Sequence, residues 1–156
     1  MPTFEIQPLQ AIGPARLGAT RMETREVMAA IGFPLEAARG HLDYFSNATV
    51  QISYDIGEKV IFIGVSESAA FTVIFKGVDV FNLAATDLFS LMAEADGSGP
   101  HTFNSYEYRF PNQILTLWDA DEQYDRKGGE TRPIWSQVGI GNDAYLAAVA
   151  AIEAKV

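Results

Sequence analysis

Apolar residues first recur at helical spacing just after Thr20. Thr20 and Glu23 form a capping box, in which the threonine hydroxyl accepts from the amide of residue 23 and the glutamate returns to the amide of residue 20. Gly32 can adopt the left-handed conformation that closes a helix, and Pro34 prevents its continuation. The pattern therefore predicts a helix over residues 20–31.

Shorter apolar stretches predict strands and two further helices. Val50, Ile52 and Tyr54 alternate with polar residues, which is typical of a half-buried strand, whereas Leu88 and Met92 recur at helical spacing. In chain order after the first helix, the predicted elements are strands at 49–55, 59–65 and 70–75, a helix at 84–95, strands at 106–110 and 113–119, a polar loop at 121–132, a strand at 134–140 and a helix at 142–155.

This order suggests an internal repeat of one helix followed by three strands. A glycine followed four residues later by a large apolar residue recurs at Gly13, Gly77 and Gly141, at two intervals of 64 residues. We therefore predict an α+β fold in which two tandem helix-plus-three-strand units form a mostly antiparallel sheet, with the helices packed on one face. The predicted boundaries are a single domain over residues 1–156, pseudo-repeat units at about 13–76 and 77–140, and a C-terminal helix at 142–155.

The composition narrows the classes of function. The 156-residue chain has no cysteine, which excludes disulfides, thiolate metal sites and a cysteine nucleophile. The first residues lack the basic and hydrophobic regions of a secretory signal, so we expect a cytoplasmic protein. The net charge is −9, and residues 41–125 carry thirteen acidic residues against three basic ones. This charge predicts a basic protein partner and argues against binding to nucleic acid or membrane.

Residues for catalysis or metal binding are not apparent in the sequence. His41 and His101 lie in different predicted loops without a partner at ligand spacing, and the chain has no G-x-S-x-G motif. The segment that begins at Asp119 fails as an EF-hand, because its fifth and sixth positions are Gln123 and Tyr124. We predict no catalytic residue, no metal site and no cofactor.

Aromatic and acidic residues instead indicate a binding surface around the polar loop. Tryptophan and tyrosine dominate interface hot spots, and this loop joins two strands that each carry a tryptophan. The predicted partner-binding residues are Trp118, Asp119, Asp121, Glu122, Tyr124, Asp125 and Trp135. Core packing of the aromatic residues is the alternative.

The segment 12–34 resembles a recurrent bacterial module. Its residues IGPARLGAT, followed by Glu23, Val27 and Ile31-Gly32-Phe33-Pro34, are similar to the units of the SmpA/OmlA outer-membrane lipoproteins and of the β-lactamase inhibitor protein, which repeats such a unit in tandem. The acidic composition and the later WSQVGIG segment resemble small cytosolic immunity proteins of bacterial toxin systems.

These resemblances imply a non-enzymatic protein-binding module, an immunity-type inhibitor that occludes a basic toxin or nuclease. Two alternatives remain open at this point. One is a small-ligand-binding or enzymatic α+β domain whose pocket residues are dispersed in sequence, and the other is a structural or assembly module with an exposed strand edge or apolar patch. The sequence leaves the oligomeric state and the identity of the partner open.

Overall fold

The computed structural model describes residues 1–122 and 133–154. In chain order, its elements are β1 (Thr3–Gln7), β2 (Ala11–Ile12), β3 (Ala15–Arg16), α1 (Arg21–Ala30), β4 (Ala37–Arg39), β5 (Leu42–Phe45), β6 (Val50–Tyr54), β7 (Val60–Val65), β8 (Thr72–Phe75), β9 (Val78–Asp79), α2 (Ala85–Asp96), β10 (Glu107–Arg109), β11 (Leu115–Glu122), β12 (Pro133–Gly141) and α3 (Asp143–Glu153). The predicted α+β class and the C-terminal helix are confirmed.

The strands form two mostly antiparallel sheets rather than one. The larger sheet has the order β10-β11-β12-β7-β6-β5-β4 and is antiparallel throughout, and the smaller has the order β3-β2-β1-β8-β9. In the smaller sheet β8, the predicted strand at 70–75, pairs in parallel with β1. Because β1 lies about 70 residues away in sequence, local periodicity carries no signal for this pairing.

Strand β5 lies in a segment that the sequence analysis had placed in a loop. Its inward position holds Asp43 instead of an apolar residue, so the alternation that identifies a strand is broken. With β5 included, four consecutive antiparallel strands follow α1 (β4-β5-β6-β7) and three follow α2 (β10-β11-β12), and β7 pairs with β12 near the centre of the sheet. The division into units at 13–76 and 77–140 stays a prediction.

The helix termini follow local sequence signals. The Thr20 hydroxyl accepts a hydrogen bond from the Glu23 amide at 3.1 Å, which is one half of the predicted capping box, and Oε1 of Glu23 accepts from the Thr20 hydroxyl at 2.9 Å. Helix α1 ends two residues before Gly32, whose φ is 92°. At the C-terminal helix, the Asn142 side chain accepts from the Tyr145 amide at 3.1 Å. A side-chain acceptor for these free amides stabilises the first turn of a helix.

Helices cover both faces of the seven-stranded sheet: α1 and α2 pack on the core face, and α3 packs on the outer face. The core face carries buried residues such as Ile52, Ile63 and Leu117, which pack with Met28 of α1 and with Leu88 of α2. On the outer face, the Phe62 ring stacks on Tyr145 of α3, with 4.8 Å between the ring centroids. Helix α3 is therefore the exception to the predicted packing of the helices on one face.

Carboxylates from neighbouring segments hold two hairpin turns. Glu36 accepts from the amides of Asn47 (2.7 Å) and Ala48 (3.1 Å), in a turn where residues 46–48 all have a positive φ. Asp96 likewise accepts from the amides of Asn112 (3.2 Å) and Gln113 (2.6 Å). Since a left-handed conformation costs a non-glycine residue about 1–2 kcal/mol, these bonds offset strain in the turns.

In the described part of the chain, none of the helices is both long and apolar enough to cross a membrane. The longest of them, α2, has 12 residues, whereas a spanning helix needs roughly 20.

Gly141→Ala is expected to destabilise the protein by about 1–3 kcal/mol, the usual cost of overpacking. A Cβ atom at this position would lie 2.5 Å from Cδ2 of the Tyr145 ring, which is itself held against Phe62. Urea denaturation would measure the change. Gly57→Ala is the matched control, because its Cβ would meet only Oδ1 of Asp55 at 3.4 Å. Equal stability of the two variants would contradict the packing of Tyr145 over Gly141.

Candidate functional site

Trp118 lies on the outer face of the seven-stranded sheet, near its β10 edge. Its neighbours Leu117 and Val138 are buried in the core, while the Trp118 side chain is 46% exposed. Glu107 of β10 lies opposite it on one side, and Gln137 of β12 lies opposite it on the other. Trp118 is thus an exposed aromatic residue on a strand that is hydrogen-bonded along both edges.

Asp119 is held in a left-handed backbone conformation, with φ 53°. Its amide donates to the carbonyl of Tyr106 at 2.7 Å, and its own carbonyl accepts from the Ser136 hydroxyl at 2.8 Å. Tyr106 is 67% exposed and Asp121 is exposed. These bonds fix the backbone at the point where the aromatic and acidic residues meet.

We define the Trp118 surface by five residues: Tyr106, Glu107, Trp118, Asp119 and Asp121. The sequence analysis had singled out three of them. It missed Tyr106 and Glu107 as partner-binding residues, although Tyr106 is a tyrosine beside a predicted strand, and only the antiparallel register of β10 and β11 brings them next to Trp118 and Asp119.

The other predicted site residues have different outcomes. Glu122 ends β11 opposite Pro133, whereas Tyr124 and Asp125 lie outside the described residues. Trp135 belongs to the core instead of the surface: it is 2% exposed, and its indole nitrogen donates to the carbonyl of Ala85 at 3.0 Å. A buried tryptophan needs such a partner for its N–H, and this burial removes it from any surface that a partner could contact.

The basic residue nearest to Glu107 along β10 is Arg109, whose charge acts on Tyr145 of α3. Burial raises the pKa of Tyr145, and the positive charge of Arg109 partly opposes that rise. Three of the five members of the Trp118 surface are carboxylates: Glu107, Asp119 and Asp121.

A second polar site lies on the core side of the sheet, where sequence reasoning had found none. The Asp43 carboxylate is fully buried and binds two arginines of α1. Arg21 donates to it from Nε (3.2 Å) and Nη2 (2.8 Å), and Arg25 from Nε (2.8 Å) and Nη2 (2.8 Å). The sequence shows that the two arginines are one helical turn apart. Their common partner Asp43, however, lies 22 residues after Arg21 and 18 residues after Arg25.

The environment of Asp43 keeps it ionised. Burial alone would raise the pKa of Asp43, but hydrogen bonds from Arg25 and Arg21 outweigh it and lower the pKa from 3.8 to about 2. The buried Tyr54 hydroxyl lies beside the carboxylate and also lowers the pKa of Asp43, although its geometry is not that of a normal hydrogen bond. Burial and the Asp43 charge together raise the pKa of Tyr54, so the tyrosine stays neutral. The cluster therefore has fixed protonation and serves to anchor α1 to β5.

The structure also gives His101 a partner set that the sequence did not indicate. The Ser98 hydroxyl lies 2.5 Å from Oδ2 of Asp96 and 2.7 Å from Nε2 of His101, and Nδ1 of His101 contacts the Tyr108 hydroxyl. A carboxylate only accepts, so Ser98 donates to Asp96, His101 donates from Nε2 to Ser98, and Tyr108 donates to Nδ1.

This direction of hydrogen bonding decides what the histidine can do. A general base must present an unprotonated nitrogen to the nucleophile, whereas Nε2 of His101 already carries the proton that it donates to Ser98. The chain of four residues therefore links the end of α2 to β10 as a structural network and is not a nucleophile–base pair.

Two further features of the described residues concern metal ligands and an open groove beside α1. Within 1–122 and 133–154, no group of three or more His, Asp or Glu side chains is arranged to hold a metal ion. An open groove of about 580 Å³ runs between α1 and the β6–β7 turn, where Met22, Ala29 and Gly57 line it beside Arg25 and Lys59.

No protein-family model matches this chain, and neither a curated protein nor a solved structure matches it. The resemblances of residues 12–34 and of the WSQVGIG segment therefore stay predictions.

Acidification below pH 4 is expected to destabilise the wild-type protein through Asp43. Because the pKa of Asp43 in the folded protein lies below its ordinary value of 3.8, its contribution is complete above about pH 4 and is lost as the pH falls toward 2. The loss amounts to about 2 kcal/mol and should be absent in Asp43→Asn. Denaturation curves between pH 2 and pH 5 would measure it.

Asp43→Asn should also lower the unfolding free energy at neutral pH by about 3–5 kcal/mol, because it leaves two arginines without their buried partner. Asp87→Asn, at an exposed position of α2, is the control and should keep the wild-type pH dependence. A variant of Asp43 that retained this dependence would show that another group causes it.

Proposed function

We propose that this protein is a non-enzymatic binding module, an immunity-type inhibitor that covers a basic site on a toxin or nuclease with its Trp118 surface. The observation that carries the proposal is the 46% exposure of Trp118 on a strand that is paired on both sides, with Glu107 opposite it and Asp119 next to it in sequence. Tryptophan is enriched among the residues that dominate binding energy.

Preorganisation supports the proposal. An interface loses free energy when it must order side chains and backbone on binding. Here β10 and β12 hold the Trp118 backbone, and hydrogen bonds to Tyr106 and from Ser136 hold that of Asp119. A partner would therefore meet a surface whose backbone is already ordered.

The charge supports a basic partner. The Trp118 surface contains Glu107, Asp119 and Asp121, and the chain segment 41–125 has an excess of ten acidic residues over basic ones. Such a field accelerates encounter with a cationic protein and disfavours acidic ones. Inhibition would follow from occlusion, because a nuclease or related toxin that binds an anionic substrate needs an accessible cationic site.

The groove beside α1 favours a second function, the binding of a small apolar ligand. Its volume of about 580 Å³ is within the range of ligand pockets, and the side chains of Met22 and Ala29 line it among charged residues. In this case a ligand that raises the melting temperature of the wild type should fail to stabilise Ala29→Phe, which fills the groove. Trp118→Ala should retain the effect, and the comparison would be made by thermal-shift screening of metabolites.

Trp118→Ala is expected to weaken binding of the partner roughly 30- to 1000-fold, the range of a central hot spot. The partner would be isolated from native lysate at low salt, identified by mass spectrometry, and its affinity and enzymatic activity measured with purified proteins. Ile56→Ala is the matched control, since Ile56 is a 95% exposed apolar residue on a turn outside the Trp118 surface.

Charge reversal at Glu107 and Asp121 should mainly slow association and reduce its dependence on salt. A partner that is neutral or acidic, whose binding is indifferent to salt, would contradict the proposal. So would equal losses of affinity in the Trp118 and Ile56 variants, or a partner whose activity is unchanged in the complex.

A further inference from the structure

A polar cavity lies where turns from both sheets meet. It has a volume of about 330 Å³, and its lining comes from β1 and the β1–β2 turn, from the β8–β9 turn and from the β10–β11 turn. The first two turns belong to the five-stranded sheet and the third to the seven-stranded sheet. The volume is within the range of small-molecule sites. The cavity shares no lining residue with the groove beside α1 and contains no member of the Trp118 surface.

Gln113 brings a buried acceptor without a donor to this cavity. Its Oε1 is buried and accepts no hydrogen bond from any described residue. An unpaired buried carbonyl oxygen is unfavourable, and such groups are rare in folded proteins. The Gln113 amide donates to Oδ1 of Asp96 at 2.6 Å, so the backbone that carries the side chain is fixed. The side chain itself is only half-buried, and rotation about its last torsion, which is broad in glutamine, can turn the oxygen toward the cavity.

Lys76 and Glu5 bring two charges of opposite sign to the same cavity. Both side chains are exposed, and neither forms an ion pair within residues 1–122 and 133–154. Nζ of Lys76 lies 5.9 Å from the centroid of the Phe75 ring, which also lines the cavity. The cavity therefore offers a cation, an anion and an unpaired acceptor to one small molecule.

The backbone of Lys76 has a conformation that is unfavourable for lysine. Lys76 and Gly77 form the two-residue turn between the paired residues Phe75 and Val78, with φ angles of 51° and 78°. A turn with a positive φ at both central residues favours asparagine, aspartate or glycine at the first of them. Strained residues of this kind cluster at functional sites. The turn therefore does not explain a lysine here, whereas a role for its ammonium group in the cavity does.

We propose that this cavity binds a small zwitterion of the α-amino acid class. The ligand carboxylate pairs with Lys76, and the ligand ammonium donates to Oε1 of Gln113 and lies near Glu5. Two buried residues that line the cavity, Ile6 and Phe75, provide an apolar wall for the rest of the ligand. This inference does not depend on the proposed inhibitor function, because it uses none of the residues of the Trp118 surface.

The two charges favour a zwitterion over a ligand with a single charge. An anion attracted by Lys76 would also meet Glu5, and a cation attracted by Glu5 would also meet Lys76, so a like charge opposes binding in either case. An α-amino acid at neutral pH carries one charge of each sign. Its ammonium group has three donors, which is enough for both the Glu5 carboxylate and the Gln113 oxygen.

Isothermal titration calorimetry of the full chain with each of the free L-α-amino acids would test the proposal. The wild type should bind at least one of them. The tightest binder would then be compared with its deaminated acid, which lacks the ammonium group, and with its decarboxylated amine, which lacks the carboxylate. Each analogue should bind about 10- to 100-fold more weakly, the effect of losing a hydrogen bond to a charged group.

Two variants separate binding from a structural role. Gln113→Met keeps the shape of the side chain and removes its acceptor, so affinity should fall about 10- to 100-fold while the melting temperature of the unliganded protein does not fall. Lys76→Asn should weaken binding in the same way and raise that melting temperature by a few degrees, because asparagine is favoured in this turn. A purely structural role for either side chain would lower the melting temperature and leave the affinity unchanged.

Gln51→Met and Lys59→Met are the matched controls, since they make similar changes at positions outside the cavity. Both should bind the amino acid like the wild type, and so should Trp118→Ala. The proposal would be overturned if no amino acid bound to the wild type, or if the deaminated acid bound as tightly as the amino acid. Wild-type affinity in Gln113→Met or in Lys76→Asn would overturn it as well.

Discussion

The buried contact of Asp43 with Arg21 and Arg25 is the interaction on which the arrangement of helix and sheet depends. It joins β5 to the first turns of α1, and Arg21 also reaches Glu58 of the β6–β7 turn at 3.0 Å. A buried carboxylate is tolerated only with such partners, since removal of one leaves an uncompensated charge in the core. The Arg21 amide donates to the Glu58 carbonyl at 2.9 Å, so backbone and side-chain bonds tie the same three segments together.

The two faces of the seven-stranded sheet differ in what they carry. The core face contains the apolar cluster and the Asp43 contact, whereas the outer face carries Trp118 and, at its centre, the Phe62–Tyr145 stack beneath α3. Glycines at 64 and 139 leave room for Phe62 and its neighbours, because a Cβ at either would lie within 3 Å of them. The outer face is therefore closely packed around Phe62, whereas Trp118 near its β10 edge is left exposed.

The outer face combines two surfaces of opposite character. The Trp118 surface is acidic and aromatic, and its backbone is fixed by strand pairing, which suits a cationic partner. Helix α3 is apolar between its two acidic ends, Asp143 and Glu153, and it covers Phe62 through Tyr145.

The sequence by itself determined the elements that depend on neighbouring residues. The Thr20 cap, the end of α1 before Gly32 and the alternating strand around Ile52 follow from hydrogen bonds and side-chain periodicity within a few residues. Only the tertiary structure decided that β1 pairs with β8 in a second sheet, because this parallel pairing joins segments far apart in the chain. It also decided the environment of Asp43 and of the two tryptophans. Trp118 and Trp135 look alike in sequence, but burial depends on what packs above the sheet, and α2 covers only Trp135.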